Sequence, residues 1–102
     1  MNLTDLLTAT DMNKGQRKRL TAERARLETA HDTIESAREA IEELYGEEND
    51  KFDNLPEGLQ ESGLGEALQE IASMLEDIAS NLDDASSQLS DILDSIDEVL
   101  EY

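Results

Sequence analysis

An unbroken apolar ladder in the C-terminal half of this 102-residue chain constrains its fold more than any other feature. From Leu64 to Val99, an apolar residue recurs at alternating steps of four and three positions. This spacing places one continuous stripe on a long helix, and a partner helix is needed to cover it. The ladder therefore predicts packing of helix against helix, and it consists of Leu64, Leu68, Ile71, Leu75, Ile78, Leu82, Ala85, Leu89, Ile92, Ile96 and Val99.

A second amphipathic segment precedes the ladder. Asn13 and Gln16 have the spacing of a capping box, which predicts a helix start at Lys14. Gly46 occupies a position where a helix C-terminus is often found. We therefore expect a first helix over residues 14–45, with an apolar stripe formed by Leu20, Leu27, Ile34 and Ile41.

The segment between the two stripes is predicted to be a connection over residues 46–62. It contains a second capping-box pattern from Asn54 to Glu57, with Pro56 inside the first turn. The ladder helix is expected over residues 63–101. Residues 1–12 are expected to form a short helical segment that covers the far end of the longer helix, which leaves residues 13–102 as a helical hairpin.

The charge distribution favours an antiparallel hairpin. Six cations lie between residues 14 and 26, and the acid-rich end of the ladder helix would lie beside them after the chain folds back. Exposed ion pairs contribute little stability, so their effect would be on orientation and register. The expected fold class is all-α, and the cations are Lys14, Arg17, Lys18, Arg19, Arg24 and Arg26.

The ladder also predicts oligomerisation. Leucine dominates heptad position a and isoleucine dominates position d, a combination that favours four strands over two. Apolar residues at positions e and g widen the stripe beyond what one helix can cover. We therefore expect two hairpins to dimerise into a four-helix bundle, with an interface that includes Ala72, Met74, Ala79, Leu93 and Leu100.

The outer side of the ladder helix is strongly acidic. The chain has 26 acidic and 8 basic residues and a net charge of -18, which makes nucleic acid and anionic membranes poor partners. Spaced carboxylates could instead imitate the phosphate rows of a nucleic acid. The alternative is a merely solvated face, and this acidic ridge at positions b and c consists of Glu70, Glu76, Asp77, Asp83, Asp84, Asp91, Asp97 and Glu98.

No catalytic or metal constellation is recognisable, so we do not expect an enzyme or a cofactor. Glu28 and His31 have the spacing of a di-iron ligand pair, but both lie off the apolar stripe. The connection lacks the pattern of an EF-hand loop. Because cysteine, an apolar span and a signal peptide are all missing, a cytoplasmic protein is expected.

The connection carries a motif of its own. The segment Phe52-Asp53-Asn54-Leu55-Pro56-Glu57-Gly58-Leu59-Gln60, followed by Ser62, resembles a turn found in small acidic proteins of phages and prophages. The resemblance covers about residues 14–100 and implies provenance more than activity. Its motif residues are Asn54, Leu55, Pro56, Glu57 and Gln60.

These patterns predict a non-enzymatic interaction protein. The resemblance implies a protein of a phage or mobile element that binds and inhibits a host defence protein or nucleic-acid-binding protein. One alternative is a structural bundle that scaffolds a phage assembly. Another is a bundle that sequesters a nucleotide, with the basic cluster of residues 14–26 holding its phosphate.

Overall fold

The computed structural model describes residues 12–102, which form three helices and no strand. Helix α1 spans Lys14–Asp53, the single-turn helix α2 spans Glu57–Gln60, and helix α3 spans Gly63–Leu100. The two long helices pack against each other as a hairpin, which confirms the predicted all-helical fold. The predicted N-terminal segment of residues 1–12 lies outside the described residues, apart from Met12.

The chain divides into two compact units, and each contains part of both long helices. The hairpin unit is Thr33–Ser86, with the second part of α1, all of α2 and the first part of α3. The terminal unit combines residues 12–32 with Ser87–Tyr102. Within each unit, the residue of α3 that is contacted moves toward the start of α3 as the contacting residue of α1 moves toward the end of α1. The two helices are therefore antiparallel.

The start of α1 is determined locally. The Gln16 backbone N–H donates to the Asn13 side-chain oxygen at 2.8 Å, and the Asn13 N–H donates to the Gln16 side-chain oxygen at 3.0 Å. These two bonds satisfy backbone donors that the first helical turn leaves without partners. The predicted capping box and helix start are confirmed.

Helix α1 ends at Asp53, later than the predicted end at residue 45. Gly46 does not adopt the positive φ that would stop a helix. Tyr45 and Phe52 remain half-buried, because the face that packs on α3 continues through this segment. Packing therefore overrides the weak local signal for a helix end, and the connection shortens to the residues around α2.

The turn after α1 is not closed by the predicted second capping box. Pro56 is the N-cap residue that precedes α2, and it forms no side-chain capping bond. The amide group of Gln60 instead donates to the carbonyl oxygens of Phe52 and Leu55, each at 3.3 Å. The motif residue Gln60 therefore satisfies carbonyl groups at the end of α1.

Gly65 is required by a close approach of two backbone segments. It is buried, and a Cβ atom there would lie 2.8 Å from the Leu59 carbonyl oxygen and would overlap the carbonyl group of Gln60. A side chain at this position would push α2 away from α3. Gly63, in contrast, has open space around it.

The side of α3 that packs on α1 is defined by burial. The four side chains with the lowest exposure are Ala72 at 3%, Ser86 at 3%, Ala79 at 7% and Leu93 at 9%. All four belong to heptad position e, and position a next to it is half-buried. The e row, as we call it, consists of Gly65, Ala72, Ala79, Ser86, Leu93 and Leu100.

Candidate interaction surface

Apart from the half-buried Leu100, the e row is buried within the two units, which leaves little of it available to a second chain. Ala72, Ala79 and Leu93 were expected at the dimer interface, but they are the buried apolar residues of the described chain. Leu100 is half-buried, and only Met74 of the expected set is well exposed, at 58%. The seam of the helix pair therefore follows positions a and e, although the ladder itself follows a and d.

Large side chains of α1 explain why the e row is buried. At seven-residue intervals α1 presents half-buried side chains that are long or aromatic. In the hairpin unit, two of them line one depression of about 480 Å³ together with Ala79. Small residues on α3 leave room for large residues on α1, and this α1 row consists of Arg24, His31, Arg38, Tyr45 and Phe52.

One bidentate ion pair joins the helices of the terminal unit. The Arg24 guanidinium donates to the two Asp97 carboxylate oxygens at 2.6 and 3.0 Å, and it also contacts Glu28 at 2.9 Å. The hydrogen bond from Arg24 lowers the pKa of Asp97, and partial desolvation opposes this shift. The same hydrogen bond raises the pKa of Arg24. Nearby, Arg17 donates to the Leu100 carbonyl oxygen at 2.7 Å and closes the end of α3.

A polar network occupies the corresponding side of the hairpin unit. Arg38 contacts Glu35 and Glu42, each at 2.8 Å, and these hydrogen bonds raise its pKa. Its buried Nε atom lies 3.8 Å from Asp83, which is too far for a hydrogen bond. The Ser86 hydroxyl donates to the Glu35 carboxylate across the helix pair. Each unit thus has one side on which charged groups join the helices.

The acidic ridge divides into two rows with different surroundings. Position b is adjacent to the buried e row, and its members Asp83 and Asp97 face the arginines of α1. Position c points further outward, and all of its carboxylates are exposed. Among residues 12–102, no cation lies within 4 Å of this c row, which consists of Glu70, Asp77, Asp84, Asp91 and Glu98.

The basic cluster pairs with α3 only in part. Arg24 and Arg17 contact α3 as described, while Arg26 contacts Glu23 of its own helix at 3.3 Å. Lys18 and Arg19 are exposed, and within the described residues they form no ion pair. Within the described residues, the antiparallel charge argument therefore holds for one of the six cations, Arg24, while Arg17 contacts only a backbone carbonyl group of α3.

The remaining candidate residues are the Glu28 and His31 pair and the turn motif. Glu28 contacts Arg24, and His31 Nδ1 lies 3.5 Å from Asp32, so the two do not converge on a shared position. Across residues 12–102 there is no group of three or more potential ligands that could hold a metal ion. In the turn motif, Asn54, Pro56 and Glu57 are exposed and Leu55 is half-buried.

A row of apolar side chains on α3 was expected in the seam of the hairpin, but most of it is exposed. In the hairpin unit Leu64, Ile71 and Ile78 are 54%, 46% and 45% exposed, and Met74 borders them. In the terminal unit Ile92 and Val99 are 45% and 43% exposed. The small side chains of the e row indicate which flank of α3 packs on α1. The ladder at positions a and d does not include them. We call this set the d row: Leu64, Ile71, Ile78, Ala85, Ile92 and Val99.

In each of the two units, α3 presents an exposed acidic row and an exposed apolar row. Comparison with family models, with curated proteins and with solved structures finds no match to this chain. Within residues 12–102, no helix is long and apolar enough to span a membrane.

Proposed function

We propose that this chain is a non-enzymatic interaction protein of a phage or mobile element that binds and inhibits a nucleic-acid-binding protein in the host cytoplasm. The observation that supports this proposal is the exposed c row. Five carboxylates recur at seven-residue spacing, about 10 Å apart along α3. A protein that binds nucleic acid recognises a similar row of fixed negative charges.

Charge density limits how far this mimicry extends. Helix α3 carries ten acidic residues and no basic residue over 38 positions, which corresponds to one negative charge per roughly 6 Å of helix. Duplex DNA carries one per about 1.7 Å. The ridge is therefore too sparse to replace a long duplex, and the proposed partner has a localised cationic groove that recognises a few phosphates.

The proposed active form is a homodimer. A dimer would present two c rows to one partner or to two, and linked contacts strengthen binding without any new type of contact. A scaffold role within a phage assembly is the second candidate. The exposed d row supports it, because apolar surface of this kind favours packing between chains.

Two charge-matched variants test the proposal. The first changes Asp77, Asp84 and Asp91 to Asn and Glu98 to Gln. The second neutralises four exposed acids of α1 instead, namely Glu39, Glu43, Glu47 and Asp50. Each variant loses four negative charges, so any difference between them reports on position and not on net charge.

The probe is the pool of bacterial proteins that a heparin resin retains, passed over the immobilised chain. We expect the wild type and the α1 variant to retain a discrete protein, which duplex DNA displaces and which elutes as salt rises. We expect the c-row variant to lose it. Equal retention by both variants, or retention that salt does not affect, would contradict the proposal, and multichain assemblies without a retained partner would favour the scaffold.

A further inference from the structure

The hairpin unit has an apolar core that is too small to explain the stability of its two long helices. Helix α1 has no buried residue along its 40 positions, and no side chain in the described chain is less than 2% exposed. The buried apolar side chains of residues 12–102 are two alanines and one leucine. Helices in proteins derive most of their stability from packing of an apolar face. Further apolar contact is therefore expected to stabilise both long helices of the hairpin unit.

The exposed d row offers such a contact, and uncharged residues border it. Position g follows the d row on the side away from the seam, and between residues 64 and 86 it contains Ala67, Met74 and Asn81. None of the ten acids of α3 lies at position d or g. A charge pattern that avoids two adjacent rows is typical of a helix that packs on both of its apolar flanks.

Helix α1 contributes to the same side of the helix pair. In the terminal unit Leu20 lines a depression of about 290 Å³ with Ile92, Ile96 and Val99. In the hairpin unit Ile34 and Ile41 occupy the heptad position of Leu20, and Leu44 beside them is 46% exposed. The repeat thus places an uncharged surface on both helices, which we call the apolar face: Ile34, Ile41, Leu44, Leu64, Ile71, Met74 and Ile78.

We propose that a second copy of this chain docks on the apolar face of the hairpin unit and completes a two-fold symmetric four-helix bundle. The area available is sufficient. Residues 63–86 of α3 extend about 36 Å, and two helices side by side are roughly 20 Å wide, so the face measures about 700 Å² per chain. Stable interfaces of standard size bury about 600 to 1,000 Å² per partner, so the face lies within their range.

The chemistry of the face selects a second copy over other occupants. A cationic partner suited to the c row would meet no opposite charge at positions d and g. A second copy supplies a matching uncharged face and buries both, as closed two-fold dimers do. The interface deepens the proposed function, because it leaves the c row at the rim of the bundle.

Sedimentation equilibrium with two matched variants tests the interface. Ile71→Asp combined with Ile78→Asp places charge on the apolar face, and Ser73→Asp combined with Ser80→Asp adds the same charge at exposed positions outside it. We expect the wild type and the serine variant to sediment with the mass of two chains, against 11.3 kDa for one. The isoleucine variant is expected to associate at least about a hundredfold more weakly.

A second readout does not depend on the folding of any variant. The melting temperature of the wild type is expected to rise with protein concentration, because association stabilises the folded chain. A wild type of 11.3 kDa, a melting temperature independent of concentration, or equal masses for the two variants would overturn the interface. The c-row variant is expected to keep the dimer mass, so loss of partner binding and loss of the dimer are distinguishable.

Discussion

Two rows of α3 flank the same row of leucines, and they differ in the size of their side chains. The e row is small through most of its length, and it is buried against α1. Apart from the half-buried Ala85, the d row is larger and branched, and it is exposed. This difference shows that α1 and α3 pack along the flank whose small residues allow the two helices to approach. Larger apolar residues on the other flank would bury more surface, but they do not determine the seam.

The same comparison separates the electrostatic roles of the two sides. On the e side, Arg24 pairs with Asp97 and Arg38 lies 3.8 Å from Asp83, and both placements favour the antiparallel order. On the d side, positions d and g of α3 carry no charge. Charged contacts between the helices thus lie on one side, and the other side is the one on which we propose association.

The largest expected effect is the introduction of a charge into the e row. Ala72→Glu buries a carboxylate at a side chain that is 3% exposed, and the expected loss in the free energy of unfolding is about 3 to 5 kcal/mol. Ser73→Glu adds the same charge one residue away at an exposed position. Thermal unfolding followed by circular dichroism compares them, and similar melting temperatures would show that the e row is not the seam.

A smaller effect is expected at the start of the e row. Gly65→Ala places a Cβ atom against the carbonyl groups of Leu59 and Gln60, and the expected destabilisation is about 1 to 3 kcal/mol. Gly63→Ala has open space, so it is expected to stabilise the helix by about 0.5 to 1 kcal/mol. Urea denaturation measures both free energies. A neutral Gly65→Ala would mean that α2 does not pack closely on α3.

The smallest effect concerns the ion pair beside the e row. Since Arg24 lowers the pKa of Asp97 in the folded chain, the pair contributes stability above the unfolded-state pKa of Asp97. That contribution is lost as the pH falls through the lower folded-state pKa. Asp97→Asn is therefore expected to lower the melting temperature slightly at pH 7, and the difference from the wild type is expected to vanish once the pH is below the folded-state pKa of Asp97.

Asp94→Asn provides the control for this variant. Asp94 is exposed and has no ion pair within the described residues. Its neutralisation reduces the net charge of -18 by one unit, so the melting temperature is expected to stay constant or rise. If both substitutions shift the melting temperature equally, the Arg24–Asp97 pair has no specific role in the helix pair.

Local signals in the sequence were sufficient for several parts of the fold. The capping box of Asn13 and Gln16 forms as predicted, and α3 starts at Gly63 as expected. The end of α1 could not be predicted in the same way. Gly46 is a typical stop residue, but the helix continues beyond it to Asp53, and Tyr45 and Phe52 on this segment are half-buried.

The choice between the two flanks could not be read from periodicity. Position a is shared by the d and e rows, so the ladder is equally regular whichever flank packs on α1. The decision depends on the other helix, where the large side chains of Arg38 and Tyr45 lie beside the small Ala79. The candidate surface differs from the expected one for the same reason. Ala72, Ala79 and Leu93 were expected at the dimer interface, and they lie in the seam between α1 and α3.

Thiol labelling at two neighbouring positions tests the central claim most directly. The chain has no cysteine, so Ile78→Cys and Ala79→Cys each provide a single reporter, one in the d row and one in the e row. We predict that Ala79→Cys is protected at every protein concentration, and that Ile78→Cys is protected when concentrated and reacts quickly on dilution. Rapid labelling of Ala79→Cys together with concentration-independent protection of Ile78→Cys would contradict the account.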